Sequence, residues 1–403
     1  MNKTIKYILI FSLFFIFLNI KPVDAEAQTK TVEFFINNTA NNVTANTFWN
    51  STFKIQLPES GIVVRNAYIE ILGDWELFLA NTGLTVYLNG SIVANANFTQ
   101  TGEAAPIKIV VNASSLHSIN NNNVFAYVLS IKTYGSRAHN LAAKAVITYD
   151  YDDISSTQLK TVKFFVNSTN TTIASGAGRI NIFNIRLAEE NISVKNAFFE
   201  LHGVNDGVNM TLNTTLNGTL TGIGNGGGYG NISLPGAGEQ LQINTLVNAS
   251  SSAASLYDIV NNTSTPFNLT VAAISNNFES FSSIATLTYT FNKSSPVQVK
   301  TIEFFVNNTN QSVAATDTIT RMNSIFRIQL PESNLQVRNA WFQWGAANDA
   351  DAALSANVSL NYTSLQLGRV DLSVGALLDS FSFISNMNAS STGVSVYSIN
   401  NNN

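Results

Sequence analysis

Glu59, Glu189 and Glu332 recur a few residues before Arg65, Lys195 and Arg338. A catalytic pair of carboxyls needs a second acid fixed across a cleft. A basic residue across a turn predicts structural ion pairs instead. Glu33 is replaced by Lys163 at the matching position, so it serves no function common to both sites. The only histidines are His117, His139 and His202, and none recurs. There is no Gly-x-Ser-x-Gly elbow, no His-Glu-x-x-His and no phosphate loop. This inventory predicts no catalysis. Asp74, Asp206 and Asp349 recur, with Asp351 nearby, and Asp150, Asp152 and Asp153 crowd one junction. Oxygen-rich loops can bind Ca²⁺, but EF-hand spacing is absent. The acids read as solvated, with a Ca²⁺ clamp at Asp150, Asp152 and Asp153 the one metal candidate and no other cofactor expected.

Sequons dominate what remains: 23 Asn-x-Ser/Thr triplets follow the first 25 residues, more than the composition alone produces. Three positions carry one three times over: Asn37, Asn167 and Asn307; Asn89, Asn217 and Asn361; Asn112, Asn248 and Asn388. They are candidate N-glycan acceptors on exposed loops. Duplication copies motifs without selecting for them, and Asn-x-Thr also suits the outer face of a strand. Aromatics recur too. Phe35, Phe165 and Phe305 lie opposite the main apolar stripe of their segment, and Tyr68, Phe198 and Trp341 do so in theirs. Such a second apolar face is covered within a domain, contacts another domain or molecule, or stacks on sugar.

These coincidences come from three copies of one module. Lys30-Thr-Val-Glu-Phe-Phe-Ile-Asn-Asn-Thr39 returns from Lys160 and again from Lys300. Leu57 to Glu70 matches Leu187 to Glu200 and Leu330 to Gln343; Asn-Ala-Ser-Ser follows at Asn112, Asn248 and Asn388. Such a period lets each copy hold its own core. Apolar residues alternate along most of each copy, as in half-buried strands. Asn89-Gly90 and Asn217-Gly218 predict two-residue hairpins. Leu116/Ile119, Leu256/Ile259 and Val396/Ile399 predict one helical turn. The chain therefore reads as all-β: tandem β-sandwich domains at 30–155, 160–295 and 300–403, with short linkers at 150–159 and 292–299. A strand ending in Leu-Asn-Gly, then the turn, an Asn run and a strand such as Val124 to Ile131 resembles galactose-binding-like jelly-roll modules of secreted and cell-surface proteins. That resemblance implies the fold and, at most, sugar binding. The third copy stops where its final hairpin is expected. The chain then either continues or leaves a sheet edge for a neighbour's strand.

Bulk composition points outside the cell. Charged residues make up 11%, against roughly 25% in an average soluble protein. Asn, Ser and Thr, with any glycans, must supply solubility. A net charge of -4 without basic clusters argues against nucleic acid. With no Cys, disulfides and thiol chemistry are excluded. Lys3 and Lys6, an apolar run from Tyr7 to Leu18 and Val23-Asp24-Ala25 form a signal peptide at 1–25. The run is shorter than the ~20 residues that span a bilayer, and no other transmembrane stretch follows. The expectation is a secreted, glycosylated S-layer, stalk or adhesin protein at the cell surface, with envelope proteins or glycans as partners. A carbohydrate-binding array, attached to a catalytic domain beyond Asn403, is the alternative.

Overall fold

A computed structural model describes residues 27–75, 82–98, 105–135, 137–166, 172–205, 210–220, 232–234, 241–250, 254–260, 265–275, 277–304, 306, 326–330, 334–348, 354–359, 366–372, 381–391, 394–396 and 399. Strands dominate. Module 1 contains β1 (Ala27–Val43), β2 (Phe48–Ile55), β3 (Ser60–Trp75), β4 (Thr82–Leu88), β5 (Ser91–Phe98), β6 (Ala105–Asn112), β7 (Phe125–Tyr134) and β8 (Ala138–Asp152). They form two antiparallel sheets, β1-β8-β3-β6 and β2-β7-β4-β5. This is the strand order of a jelly roll. Only β4 and β5 are joined within one sheet, and that joint is the Asn-Gly turn. Asn89 has φ 50° and Gly90 φ 80°, the left-handed pair that a tight hairpin demands.

Module 2 repeats the plan with β9 (Thr157–Phe165), β10 (Gly178–Ile185), β11 (Ser193–Asn205), β12 (Met210–Leu216), β13 (Thr219–Leu220), β14 (Ile232–Leu234), β15 (Leu241–Asn248), β16 (Thr265–Ser275) and β17 (Phe278–Asn292). Its sheets are β15-β11-β17-β9 and β10-β16-β12-β13, with β14 also on β12. Asn217 and Gly218 repeat the left-handed pair at 49° and 81°. In module 3, β18 (Trp341–Asn348), β19 (Leu354–Ser359), β20 (Gln366–Leu372) and β21 (Phe381–Asn388) pair as β18-β21 and β19-β20.

Alternation explains the cores. Along β2 every second residue is buried, placing Trp49, Phe53 and Ile55 inside. The predicted helical turn is a 3-10 turn at Ser114–Ser118 and Leu256–Asp258, and it seats Leu116 and Leu256 in the cores. In every copy an alanine after the repeated Asn bonds back to the strand beside it: Ala113 to Ala67, Ala249 to Ala197 and Ala389 to Ala340. The linker between modules 1 and 2 is shorter than the sequence suggests, because β8 runs through Asp152 and β9 begins at Thr157. Four residues, 153–156, remain. Strand β17 departs from alternation: twelve successive residues, Phe278 to Tyr289, are buried. A strand buried on both faces has something packed outside its own sandwich. Among the described residues, no helix is long and apolar enough to cross a membrane.

Candidate functional site: the contacts between modules

The outer face of β15-β11-β17-β9 is covered by its neighbours. Phe35 of module 1 stacks on Phe198 of module 2 with ring centroids 5.6 Å apart. Leu72, Ala142 and Leu246 complete a small apolar cluster separate from either core. Phe198 is fully buried there and offers no free face to a ligand. Phe165 is also buried, Trp341 and Tyr68 are half-buried, and Phe305 lies outside the described residues.

Polar side chains finish the contact. β1 and β9 are sheet-edge strands, whose outward N–H and C=O groups have no ladder partner and must be managed. The N–H of Phe35 donates to Asn196 Oδ1 at 2.8 Å, and Asn196 Nδ2 donates back to the Phe35 carbonyl at 3.3 Å. The next junction repeats this: the Phe165 N–H donates to Asn339 Oδ1 at 2.9 Å, and Asn339 Nδ2 to the Phe165 carbonyl at 3.2 Å. Two residues earlier, the Glu33 N–H donates to Thr161 Oγ1 and the Lys163 N–H to Thr301 Oγ1, both at 2.9 Å. Thr288 Oγ1 donates to the Glu33 carbonyl. Each module thus caps the edge strand of the one before it, through equivalent residues.

Charges line the same seam. Lys163 lies 2.8 Å from Glu33 and 3.2 Å from Glu303. Equivalent positions of successive modules meet here, so the Glu, Lys, Glu sequence is complementary. The substitution that counted against a shared role is what makes the pairing work. Lys144 bridges Glu33 at 3.1 Å and Glu200 at 3.0 Å. Burial alone would raise the Glu200 carboxyl; Lys144, with His202 and Lys163 nearby, outweighs it and holds the group well below the usual carboxylate range. Burial opposes charge on Lys144 and Lys163 as well, yet the Glu200 and Glu33 carboxylates raise both above the usual lysine range. A depressed carboxyl stabilises the fold above its unfolded value of 4.5 and loses that contribution as pH falls toward its folded value. A raised lysine stabilises below 10.5 and loses that contribution as pH climbs toward its folded value. The junction between modules 1 and 2 is therefore expected to be firmest between 4.5 and 10.5 and to loosen on both sides. Thermal melts across pH check this, and melting temperatures that do not change beyond either limit would count against it.

Glu59 and Glu189 take their ion pairs from lysines elsewhere on the sheet, not from the basic residues across their turns. Glu59 is buried and takes Lys30, with Tyr149 Oη donating at 2.9 Å and the Leu159 N–H at 2.6 Å. Glu189 takes Lys160, Tyr289 Oη at 3.1 Å and the Val299 N–H at 2.5 Å. Leu159 lies on β9 of module 2, and Val299 immediately precedes Lys300, where the third copy opens, so each carboxylate ties its module to the segment that leads into the next. Arg65 turns to Asp150 instead. Arg65 points into solvent, whereas Lys30 lies beside the buried carboxylate. Glu332 lies outside the described residues.

The remaining candidates are dispersed. Asp150 also accepts from Thr29 Oγ1 at 2.6 Å, and Asp153 from Gln158 at 2.7 Å and Lys293. Asp152 is half-buried beside Gly61. Among the described residues, no group of three His, Asp or Glu is placed to hold a metal. Asn89 and Asn217 are exposed at the hairpins, where their side-chain oxygens accept from the Val128 and Asn268 N–H groups, each at 2.8 Å. Asn112 is exposed, whereas Asn248 and Asn388 are half-buried with buried carboxamide oxygens. Asn167, Asn307 and Asn361, and the side chain of Asn37, lie outside the described residues.

No protein-family model matches the sequence, and no curated protein does. Solved structures are similar in part. A peptide-N(4)-(N-acetyl-β-D-glucosaminyl) asparagine amidase is 13% identical, covers 65% of this chain and 100% of its own, and has a TM-score of 0.22. A β-porphyranase of glycoside hydrolase family 86 from Bacteroides plebeius is 10% identical, with 67% of this chain and 38% of that one covered and a TM-score of 0.23. The major capsid protein P2 of bacteriophage PM2 is 10% identical, with 66% and 100% covered and a TM-score of 0.19. These likenesses are remote and carry no argument about activity. They do not single out galactose-binding-like modules, and the jelly-roll assignment stands on strand order.

Proposed function

We propose that this chain is an exported structural protein of a cell envelope, a stack of jelly-roll modules locked face to edge, with no catalytic role. One observation carries the reading: the Asn clamp on the preceding edge strand is made twice by equivalent residues. Repetition of a contact between modules is what a stiff array needs and what independent binding modules do not. The carbohydrate-binding alternative needs recurrent aromatics free to stack on sugar, and Phe35 and Phe198 stack on each other instead. Export rests on the leader, and glycans on exposed sequons such as Asn89 and Asn217 supply the hydration that the sparse charge does not. Protease shaving of intact source cells, followed by peptide mass spectrometry, tests the assignment. Peptides from the modules are expected in the shaved fraction; a protein found only free in the medium, or only inside the cell, would overturn it.

A further inference from the structure

One sequon outside the recurrent set is held by a neighbouring side chain. Asn97-Phe98-Thr99 begins near the end of β5, an edge strand of the sheet β2-β7-β4-β5. Ala94 and Ala96 pack toward the core, so Asn97 lies exposed on the outer face. Gly83 on β4 stands between Asn97 on β5 and Tyr134 on β7. The half-buried Tyr134 ring crosses that glycine, where a Cβ would come within 2.6 Å of it. Its hydroxyl donates to Asn97 Oδ1 at 2.8 Å. Among the described residues, nothing bonds to Asn97 Nδ2, the atom that would carry a sugar. Module 2 changes all three parts together. Thr211 stands at the place of Gly83 and Ile274 at that of Tyr134. Asn225, as far past Asn217 as Asn97 is past Asn89, begins Asn-Gly-Gly, which is no sequon. Duplication does not explain a feature that one copy assembles and the other lacks entirely.

From this arrangement we infer that Asn97 carries an N-linked oligosaccharide whose first sugar packs on the Tyr134 ring. The inference rests on the reading of the chain as an exported glycoprotein and assigns it a specific acceptor. In the transfer, Asn97 Nδ2 attacks the anomeric carbon of a sugar linked through phosphate to a lipid. The C–N bond forms as the C–O bond breaks, the lipid phosphate leaves with the electron pair, and one amide proton passes to a base of the transferase. The product is a secondary amide, which is planar and trans. Its anomeric carbon therefore lies on the same side as Oδ1, which is the side that Tyr134 holds. The Tyr134 hydrogen bond survives the modification, because the sugar takes the nitrogen and the hydroxyl takes the oxygen. An aromatic face beside a sugar's apolar C–H face is a favourable packing partner. The surface continues in the same direction, since Lys132 shares the outer face with Tyr134 two residues away. Lys132 lies 5.5 Å from the ring centroid of Phe48, which is 52% exposed. Outer sugars thus meet a second open ring.

Glycopeptide mass spectrometry of the chain taken from its source envelope tests the acceptor. The peptide containing Asn97 is expected to carry a sugar in most molecules; a bare Asn97 in all of them would overturn the inference. Hydroxyl-radical footprinting tests the packing, on the parent and Thr99→Ala made in a host that adds N-linked sugar. Thr99→Ala destroys the sequon but keeps Asn97, Tyr134 and their hydrogen bond. Oxidation of Tyr134 should be severalfold higher in Thr99→Ala, because its ring loses the covering sugar. Made in a host that adds no N-linked sugar, the two proteins should label alike. Equal labelling in the first host would overturn the packing, and so would a difference in the second, which would trace the effect to Thr99 itself. A chain recovered from the cell surface by shaving with Asn97 bare would sink this acceptor and leave the structural reading intact.

Discussion

Glu59→Ala and Glu189→Ala are each expected to cost about 3–5 kcal/mol, because each strips the partner from a buried ammonium group. Lys30 and Lys160 are mostly buried, and burial depresses both ammonium groups against the pull of their glutamates. Lys30 also lies 4.0 Å from the Tyr151 ring centroid, and Lys160 lies 4.2 Å from that of Phe291, so each ammonium group is held against an aromatic ring. Removing the carboxylate strands the lysine, the Tyr149 or Tyr289 hydroxyl and one main-chain N–H together. The damage should also reach the junction, since that N–H belongs to Leu159 or Val299. Chemical denaturation measures the loss, and limited proteolysis reports the junction, where Ile154 is already exposed. Glu59→Gln keeps one acceptor oxygen for Lys30 and the Leu159 N–H, and its amide nitrogen can donate to the Tyr149 hydroxyl, so it should cost less. Pairing Glu59→Leu with Lys30→Met should recover only the part due to the stranded ammonium group, because the Tyr149 hydroxyl and the Leu159 N–H stay without their acceptor. Alanine variants within about 1 kcal/mol of the parent would show that the latch is solvated and weak.

The fold was legible because its signals are local. Alternation marks the strands, Asn-Gly marks the one hairpin within a sheet, and the Leu116/Ile119 spacing marks the turn. The contact surface was harder to see because its signals are not local. Asn66, Asn196 and Asn339 occupy the same place in all three copies, beside a strand's repeated Ala, where Asn is depleted. That mismatch between residue and element is the one mark the clamp leaves on the sequence. Recurrence as a filter also misled at Glu33 and Lys163. Two surfaces that meet at equivalent positions need opposite residues, so the informative pattern there is alternation rather than identity. The partner of Glu59 was missed for a different reason. Arg65 is nearer in sequence, but Lys30 sits across the sheet, and only sheet order brings it to the carboxylate.

Phe198→Ala is expected to separate the unfolding of module 1 from that of module 2 and to cost about 3–5 kcal/mol, as for a fully buried aromatic. The matched control is Tyr68→Ala, at the equivalent position in module 1. Its ring is half-buried, so little packing is lost, and its cost should stay within about 1 kcal/mol, near the centre of the range for point substitutions. The two variants differ in one respect that matters, the presence of Phe35, Leu72 and Ala142 against the ring. Asn196→Ala tests the polar half of the same contact. It leaves the N–H and C=O of Phe35 without their partner beneath module 2, at about 1–3 kcal/mol for each buried group. Calorimetry distinguishes coupling from stability alone. Coupled modules should melt in one transition, and Phe198→Ala should resolve the melt into two, since chains of several domains need not be two-state. If Phe198→Ala and Tyr68→Ala cost the same, the apolar contact contributes no coupling, and the stack would be held by its latches and edge caps alone.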